Sequence, residues 1–280
     1  MNEPIRIISD LHLGHHSSNV ESPGQIAPLL KGNASVIFNG DSVEINFAKH
    51  REKGLRHAEM LSDECIKAGA QPYFINGNHD PDISILSHAD LADGAVLVTH
   101  GDMLFLDISP WGDKQSQAMG RAHTQALEEL DDESFQDFEK RLRATKRAAL
   151  ALEMHDVELP RGPLAKIAFV LEELWPPWRP LLVLKCWQET PERAVAMARV
   201  FRPRARLILL GHTHRAGIWR IGPRVVINTG SFMPLAKRLA VDLSGNEVSV
   251  KTIITNGRKF EIGKEICRFD ARKLKAQEGF

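Results

Sequence analysis

The chain has 280 residues, enough for one large or two modest domains and ample to bury a core. Its 36 Lys and Arg balance 36 Asp and Glu, so no whole-molecule field calls for nucleic acid as an obligate partner. Cys65, Cys186 and Cys267 lie far apart without metal-type spacing, which suits a reducing compartment. No basic segment followed by an apolar one opens the sequence, and the apolar stretch near 181–184 is far too short to span a bilayer. A cytoplasmic protein is expected, at most peripheral on the inner face of a membrane.

In chain order, five short apolar, β-branched runs read as buried strands: Ile5–Ile8, Ser35–Phe38, Tyr73–Ile75, Ala95–Val98 and Leu207–Leu210. Between the second and third, Arg51–Ala68 is rich in helix formers and places Leu55, Ala58, Leu61 and Cys65 on one side, as a crossover helix does. From 112 to 203 the strand signal disappears. Gln115–Glu153 reads as two or three helices and Pro163–Leu174 as another. A further helix is expected to start at Thr190, with Pro191 as its first residue and Glu192 favoured by the helix dipole. Strands return after Arg206, with one hairpin turning at Gly222-Pro223 and another at Ser244-Gly245-Asn246. The expected organisation is an α/β core, 1–111 and 204–280, with a helical cap inserted at 112–203.

Each of the five runs is followed at once by a polar block: Asp10-Leu-His12, Gly40-Asp41, Gly77-Asn78-His79-Asp80, His100-Gly101-Asp102 and Gly211-His212-Thr213-His214. Polar residues gathered at the carboxyl ends of buried strands mark where open α/β sheets bind ligands. The blocks hold oxygens on Asp10, Asp41 and Asn78 and imidazoles on His12, His100, His212 and His214, donor types suited to borderline-hard divalent metals. At a strand end, two residues spaced by one point to the same side, so Asp10 with His12, and His212 with His214, have the spacing of paired ligands. Isolated histidines are read as ordinary structural residues, and His50, His57, His88, His123 and His155 are placed in that class. His15 and His16, close behind the first block, are within reach of a substrate phosphate, but a structural role is the stronger expectation.

The ordered set DLH, GD, GNHD, THGD and GHTH resembles the calcineurin-like metallophosphoesterase superfamily. The resemblance covers the strands of the core, about two thirds of the chain. It implies a four-layer α/β/β/α sandwich with two divalent metals held by loops at one edge. Carried over residue by residue, it implies Asp10, His12 and His214 on the first metal, Asn78, His100 and His212 on the second, and Asp41 bridging them. His79 would face the leaving-group oxygen and Glu44 would orient it; these two are the expected catalytic residues. Mn²⁺ is the first expectation for the metals, with Fe²⁺, Zn²⁺ or Co²⁺ as alternatives. The implied reaction is hydrolysis of a P–O bond by metal-activated water, and a non-catalytic metal-binding scaffold is the rival from another class.

For the substrate, a small-molecule phosphate ester is expected. Protein phosphatases of this type continue the second block as an acidic-Arg-Gly sequence, whereas here it reads Gly40-Asp41-Ser42-Val43-Glu44-Ile45. The helical insertion resembles the lid of UDP-2,3-diacylglucosamine pyrophosphohydrolases, although His79 stands where those enzymes carry Arg. This implies a pyrophosphatase of a nucleotide-activated lipid, with peripheral membrane contact through the cap. A phosphodiesterase or monoesterase of small soluble nucleotides is the alternative. Trp175 and Trp178 would either grip an acyl chain beside Arg179 and Lys185 or pack the cap on the core, and the packing role is the expectation.

Overall fold

The computed structural model describes residues 1–46, 48–108, 114–151 and 178–274. Two mixed β-sheets lie face to face. The first has the order β11-β10-β9-β1-β2-β3 and the second β4-β5-β6-β8-β7. The strands are β1 Ile5–Ile8, β2 Ser35–Asn39, β3 Gln71–Ile75, β4 His88–Leu91, β5 Val96–Thr99, β6 Leu207–Leu210, β7 Gly217–Ile221, β8 Arg224–Asn228, β9 Leu239–Ser244, β10 Glu247–Asn256 and β11 Lys259–Asp270. The helices are α1 Ala27–Leu30, α2 Arg51–Lys67, α3 Lys114–Glu128, α4 Asp132–Phe135, α5 Phe138–Leu150 and α6 Arg179–Phe201.

Side-chain alternation along the strands builds the layers. Ile5, Ile7 and Ile37 of the first sheet meet Val96, Val98, Leu207 and Leu209 of the second in the central core. The other faces turn outward. Ile8, Val36 and Phe38 pack with Leu29, Leu61 and Cys65 of α1 and α2. Leu97, Ile208 and Leu210 pack with Leu142 of α5 and Ala194, Val195 and Ala198 of α6. The result is the expected α/β/β/α sandwich. Strands buried on both faces explain the unbroken apolar runs in the sequence.

Within each sheet the central strands are parallel: β1 with β2, β2 with β3, β5 with β6 and β6 with β8. Their carboxyl ends gather at one edge, where side chains bind the two sheets together. Asn39 donates Nδ2 to the Thr99 carbonyl at 3.0 Å, and the Ser9 and Thr229 hydroxyls are 2.5 Å apart. At the opposite end of β1, Arg6 makes a paired contact with Asp242 at 2.6 and 2.7 Å.

Several expectations need correction. On α2, Leu61 and Cys65 are buried but Leu55 is 41 % exposed; the helix approaches the Glu44–Ile45 backbone through Gly54 instead. The helix expected to begin at Thr190 begins at Arg179 and carries Pro191 inside it. There the Thr190 hydroxyl bonds back to the Cys186 carbonyl at 2.7 Å rather than capping a new helix. Packing of Cys186, Ala194 and Ala198 against the second sheet outweighs the local stop signal of the proline. Among the described residues of the segment between β5 and β6 only helices form. Asp131 and Asp137 cap α4 and α5 through the Ser134 and Lys140 amides. Trp175, His155 and the helix expected at Pro163–Leu174 lie outside the described residues. Trp178 does not pack the segment on the core, being 59 % exposed. No described helix is long and apolar enough to cross a membrane.

Candidate metal centre

The loops after β1, β2, β3, β5 and β6 converge at the carboxyl edge. Backbone bonds set their spacing: the Asp10 amide donates to the Gly40 carbonyl, His12 to Asp41, and Gly211 to His100, at 2.9–3.1 Å. Asp10, His12, Asp41, His212 and His214 all have φ between 47° and 68°. Such left-handed backbone costs of order 1–3 kcal/mol per non-glycine residue, so the surrounding contacts impose it. Two glycines make room for these side chains. A Cβ on Gly77 would collide with Asp41 Oδ1, and one on Gly211 with Asp10 Oδ2.

Two groups of donor atoms result. Asp10, His12, Asp41 and His214 each offer an atom within 4.8 Å of the others, as do Asp41, His100 and His212. Asp41 belongs to both. Asn78 joins the second group, its Oδ1 lying 3.3 Å from His100 Nε2. All seven residues expected to be ligands are therefore assembled in one place, and all but His214 are buried.

The protonation pattern shows what the groups suit. His12 donates Nδ1–H to Glu44 Oε1 at 2.8 Å, His100 donates Nδ1–H to the Asn39 carbonyl at 3.0 Å, and His212 donates Nε2–H to the Ile108 carbonyl at 2.6 Å. In each ring the other nitrogen faces the donor groups, where it carries a proton or, with a cation bound, offers its lone pair. His12 Nε2 faces His214 Nε2 at 3.0 Å, His100 Nε2 faces Asp41 Oδ2 at 3.2 Å, and the buried His212 Nδ1 has no hydrogen-bond partner. Converging lone pairs repel one another unless a proton or cation sits between them. Outer nitrogens fixed by carbonyls and carboxylates are the arrangement seen around ligating imidazoles. The donor set thus fits two adjacent divalent cations sharing Asp41.

Without cations, the same crowding drives the titrations. Burial opposes the charge of Asp41, but the His100 and His79 charges prevail and hold its carboxyl well below the usual range. Burial also opposes a charged His100, yet Asp41 lifts it to about 9. Burial and the His100 charge push His212 down to about 4.

Three residues around the groups do more than the sequence revealed. Glu44 is buried and uses both oxygens, Oε1 for His12 and Oε2 for His79 Nδ1–H at 2.8 Å. It therefore links an expected ligand to His79, a double contact that spacing alone did not reveal. Burial disfavours a charged His79, but Glu44 and Asp41 raise its pKa to about 10. Asp80 accepts the Asp41 and Gly77 amides on Oδ1 at 2.9 and 2.8 Å, and the Ser42 amide on Oδ2 at 2.7 Å. It clamps the second and third loops together. Asn46 donates to the Asn78 and Ala149 carbonyls, both at 3.0 Å, tying α5 to the third loop. The Asp that closes the third block and an Asn beyond the second were visible signals for these last two roles.

The helical segment is fastened to the same edge. Lys146 of α5 reaches Asp102 Oδ2 at 2.5 Å, both buried, and Trp187 of α6 donates its indole N–H to the Thr213 carbonyl at 2.9 Å. His123 sits between the Leu106 carbonyl and the Thr145 hydroxyl, a structural placement, as do His88 beside Asp90 and His57 near the Leu13 carbonyl. His15 meets His12 edge-on with ring centroids 6.0 Å apart and accepts the Ser17 amide.

Neither a protein-family model nor a curated protein matches the sequence. Among solved structures, the chain is similar to Vacuolar Protein Sorting 29 from Cryptosporidium parvum, at 14 % identity over 96 % of this chain and 98 % of that one, with a TM-score of 0.45. It is similar to a dimetal phosphatase from Danio rerio at 13 % identity, over 93 % and 99 %, with a TM-score of 0.45. A conserved protein from Streptococcus pneumoniae TIGR4, described as a predicted phosphoesterase, gives 14 %, 95 %, 98 % and a TM-score of 0.39. Likenesses this distant carry no argument about chemistry. That argument rests on the side chains above.

Proposed function

We propose that this chain is a dinuclear metal-dependent phosphoesterase of the calcineurin-like metallophosphoesterase superfamily, hydrolysing a P–O bond with activated water. One observation carries the reading. Two donor groups share Asp41, and three of their imidazoles are tethered through the outer nitrogen while the inner one points inward. Asp10, His12 and His214 would hold one cation, Asn78, His100 and His212 the other, with Asp41 between them. Bound there, the two cations supply a water acidified from about 15.7 toward neutrality and positive charge for the phosphoryl oxygens.

The chain's own residues do the rest. Asp80 holds the Asp41 and Gly77 amides, so the shared carboxylate keeps its place as charge builds on the substrate. Glu44 fixes His79 through Nδ1, and Nε2 is the ring atom that would pass a proton to the departing oxygen. General-acid help of this kind contributes about 10²–10⁴-fold. The short Glu44 contacts also keep the His12 and His79 rings perpendicular, 4.7 Å apart.

The substrate class proposed is a nucleotide-activated lipid such as UDP-2,3-diacylglucosamine, and the metal Mn²⁺. Exposed Trp178, Leu181 and Leu184 at the start of α6 support a lipid-facing role for this helix, whose next turn reaches the fifth loop through Trp187. Full-length protein loaded with Mn²⁺ should cleave bis-p-nitrophenyl phosphate, and metal-stripped protein should not. Phosphorus NMR should then show UMP and a lipid monophosphate released from UDP-2,3-diacylglucosamine. Turnover of the generic diester without turnover of the lipid would keep the reaction and reject the substrate; no metal-dependent turnover of either would reject both.

A further inference from the structure

Beside His214 lies a pocket of about 420 Å³, a volume within the range of small-molecule sites. Trp187, Arg215, Met233, Leu235 and Lys237 line it together with His214, and no carboxylate stands among the described lining residues. Arg215 follows His214 directly in the chain, and its guanidinium lies 5.6 Å from the Trp187 ring and 5.7 Å from the Trp219 ring. Stacking on two indoles holds a guanidinium in place without neutralising it. Among the described residues, neither Arg215 nor Lys237 has an acidic partner. The rest of the described lining is apolar: Trp187, Ala216, Met233, Pro234, Leu235 and Ala236. Leu235 is fully exposed at its rim and is held at φ +63°, a conformation unfavourable for a leucine.

We infer that this pocket binds the second phosphoryl group of a diphosphate ester, gripped by Arg215 and Lys237, with the attached organic group against Trp187, Met233 and Leu235. The inference rests on the phosphoesterase reading, because that reading places the scissile phosphoryl group at His214. Three features point to this ligand: two unneutralised cations, an aromatic and apolar wall, and direct continuity with an expected metal ligand. A monoester would leave both cations unused. An uncharged ester would have to desolvate them without a partner, which is costly.

The test uses the metal-loaded full chain and two probes that cannot be hydrolysed, methylenediphosphonate and methylphosphonate, titrated by calorimetry. The wild type should bind the diphosphonate at least about tenfold more tightly, since charge-assisted hydrogen bonds to the second group are among the stronger polar contacts. The double variant Arg215→Gln/Lys237→Ala should lose about tenfold or more of that preference, with metal content and methylphosphonate affinity unchanged. Because Arg215 also packs on two rings, Lys237→Ala alone is measured beside it, and part of the preference should disappear there too. An unchanged preference in both variants, or none in the wild type, would overturn the inference. Absence of metal-dependent hydrolysis would instead count against the phosphoesterase reading. The diphosphonate comparison between wild type and variants still reads the pocket in that case.

Discussion

Two sets of polar groups are buried near the carboxyl edge, and they differ in how their hydrogen-bonding capacity is filled. Where the helical segment meets the core, Lys146 pairs with Asp102 and Asn46 bridges two carbonyls. One Asp102 oxygen aside, these groups are satisfied within the protein. At the strand ends, the inner nitrogens of His12 and His100 crowd against His214 and Asp41, and that of His212 faces no partner. The first set holds the fold together. The second is organised for something from outside: its donor atoms crowd against one another at 3.0–3.3 Å, and the buried His212 Nδ1 has no partner, a cost rarely retained without a use.

The largest effect that would separate the two sets comes from Glu44. Glu44→Gln removes one acceptor oxygen from a residue that serves both His12 and His79. Turnover should fall about 10²–10⁴-fold if His79 acts as an acid, and metal affinity about 10–100-fold through His12. Steady-state kinetics and metal titration read these separately, and loss of one without the other would divide the two roles. Asp80→Asn should lower metal affinity about 10–100-fold by loosening the clamp on Asp41. Retained affinity would show that the backbone holds the loop unaided.

On the other side of the comparison, Lys146→Met strands a buried Asp102 and should destabilise the protein by about 3–5 kcal/mol in denaturant unfolding. If its metal content fell as steeply as in Asp80→Asn, the helical tether would belong to the site after all. Smallest is the pH effect at the far end of β1. Burial raises the Asp242 pKa, but its Arg6 and Lys251 partners lower it more, so it lies below 3.8. Its contribution is present above pH 3.8 and is lost as pH falls through the lower folded value. Asp242→Asn should therefore flatten the acid limb of the stability curve and leave neutral metal binding alone.

The contrast also explains what was legible in the sequence. A strand buried on both faces writes itself as an apolar run, and a block of donors directly after it is conspicuous; β1, β2 and β6 coincide with their runs within a residue. The hairpin at Gly222-Pro223 was equally plain. Contacts between distant positions leave no such mark. Nothing at Lys146 announces Asp102, 44 residues away. Nor does anything show that Ile108 supplies the carbonyl that fixes the His212 tautomer. The Thr190-Pro191 pair signalled a helix start that packing of α6 overrode, and the left-handed backbone at five donor positions follows from the meeting of loops rather than from any one of them.

The most direct test of the central claim is the metal stoichiometry of the full chain against Asp41→Ala, measured by mass spectrometry of the metals after dialysis into Mn²⁺. Two sites sharing one carboxylate predict about two equivalents in the wild type and a loss from both sites in the variant. A wild type that retains no metal, or a variant that keeps both ions, would contradict the account.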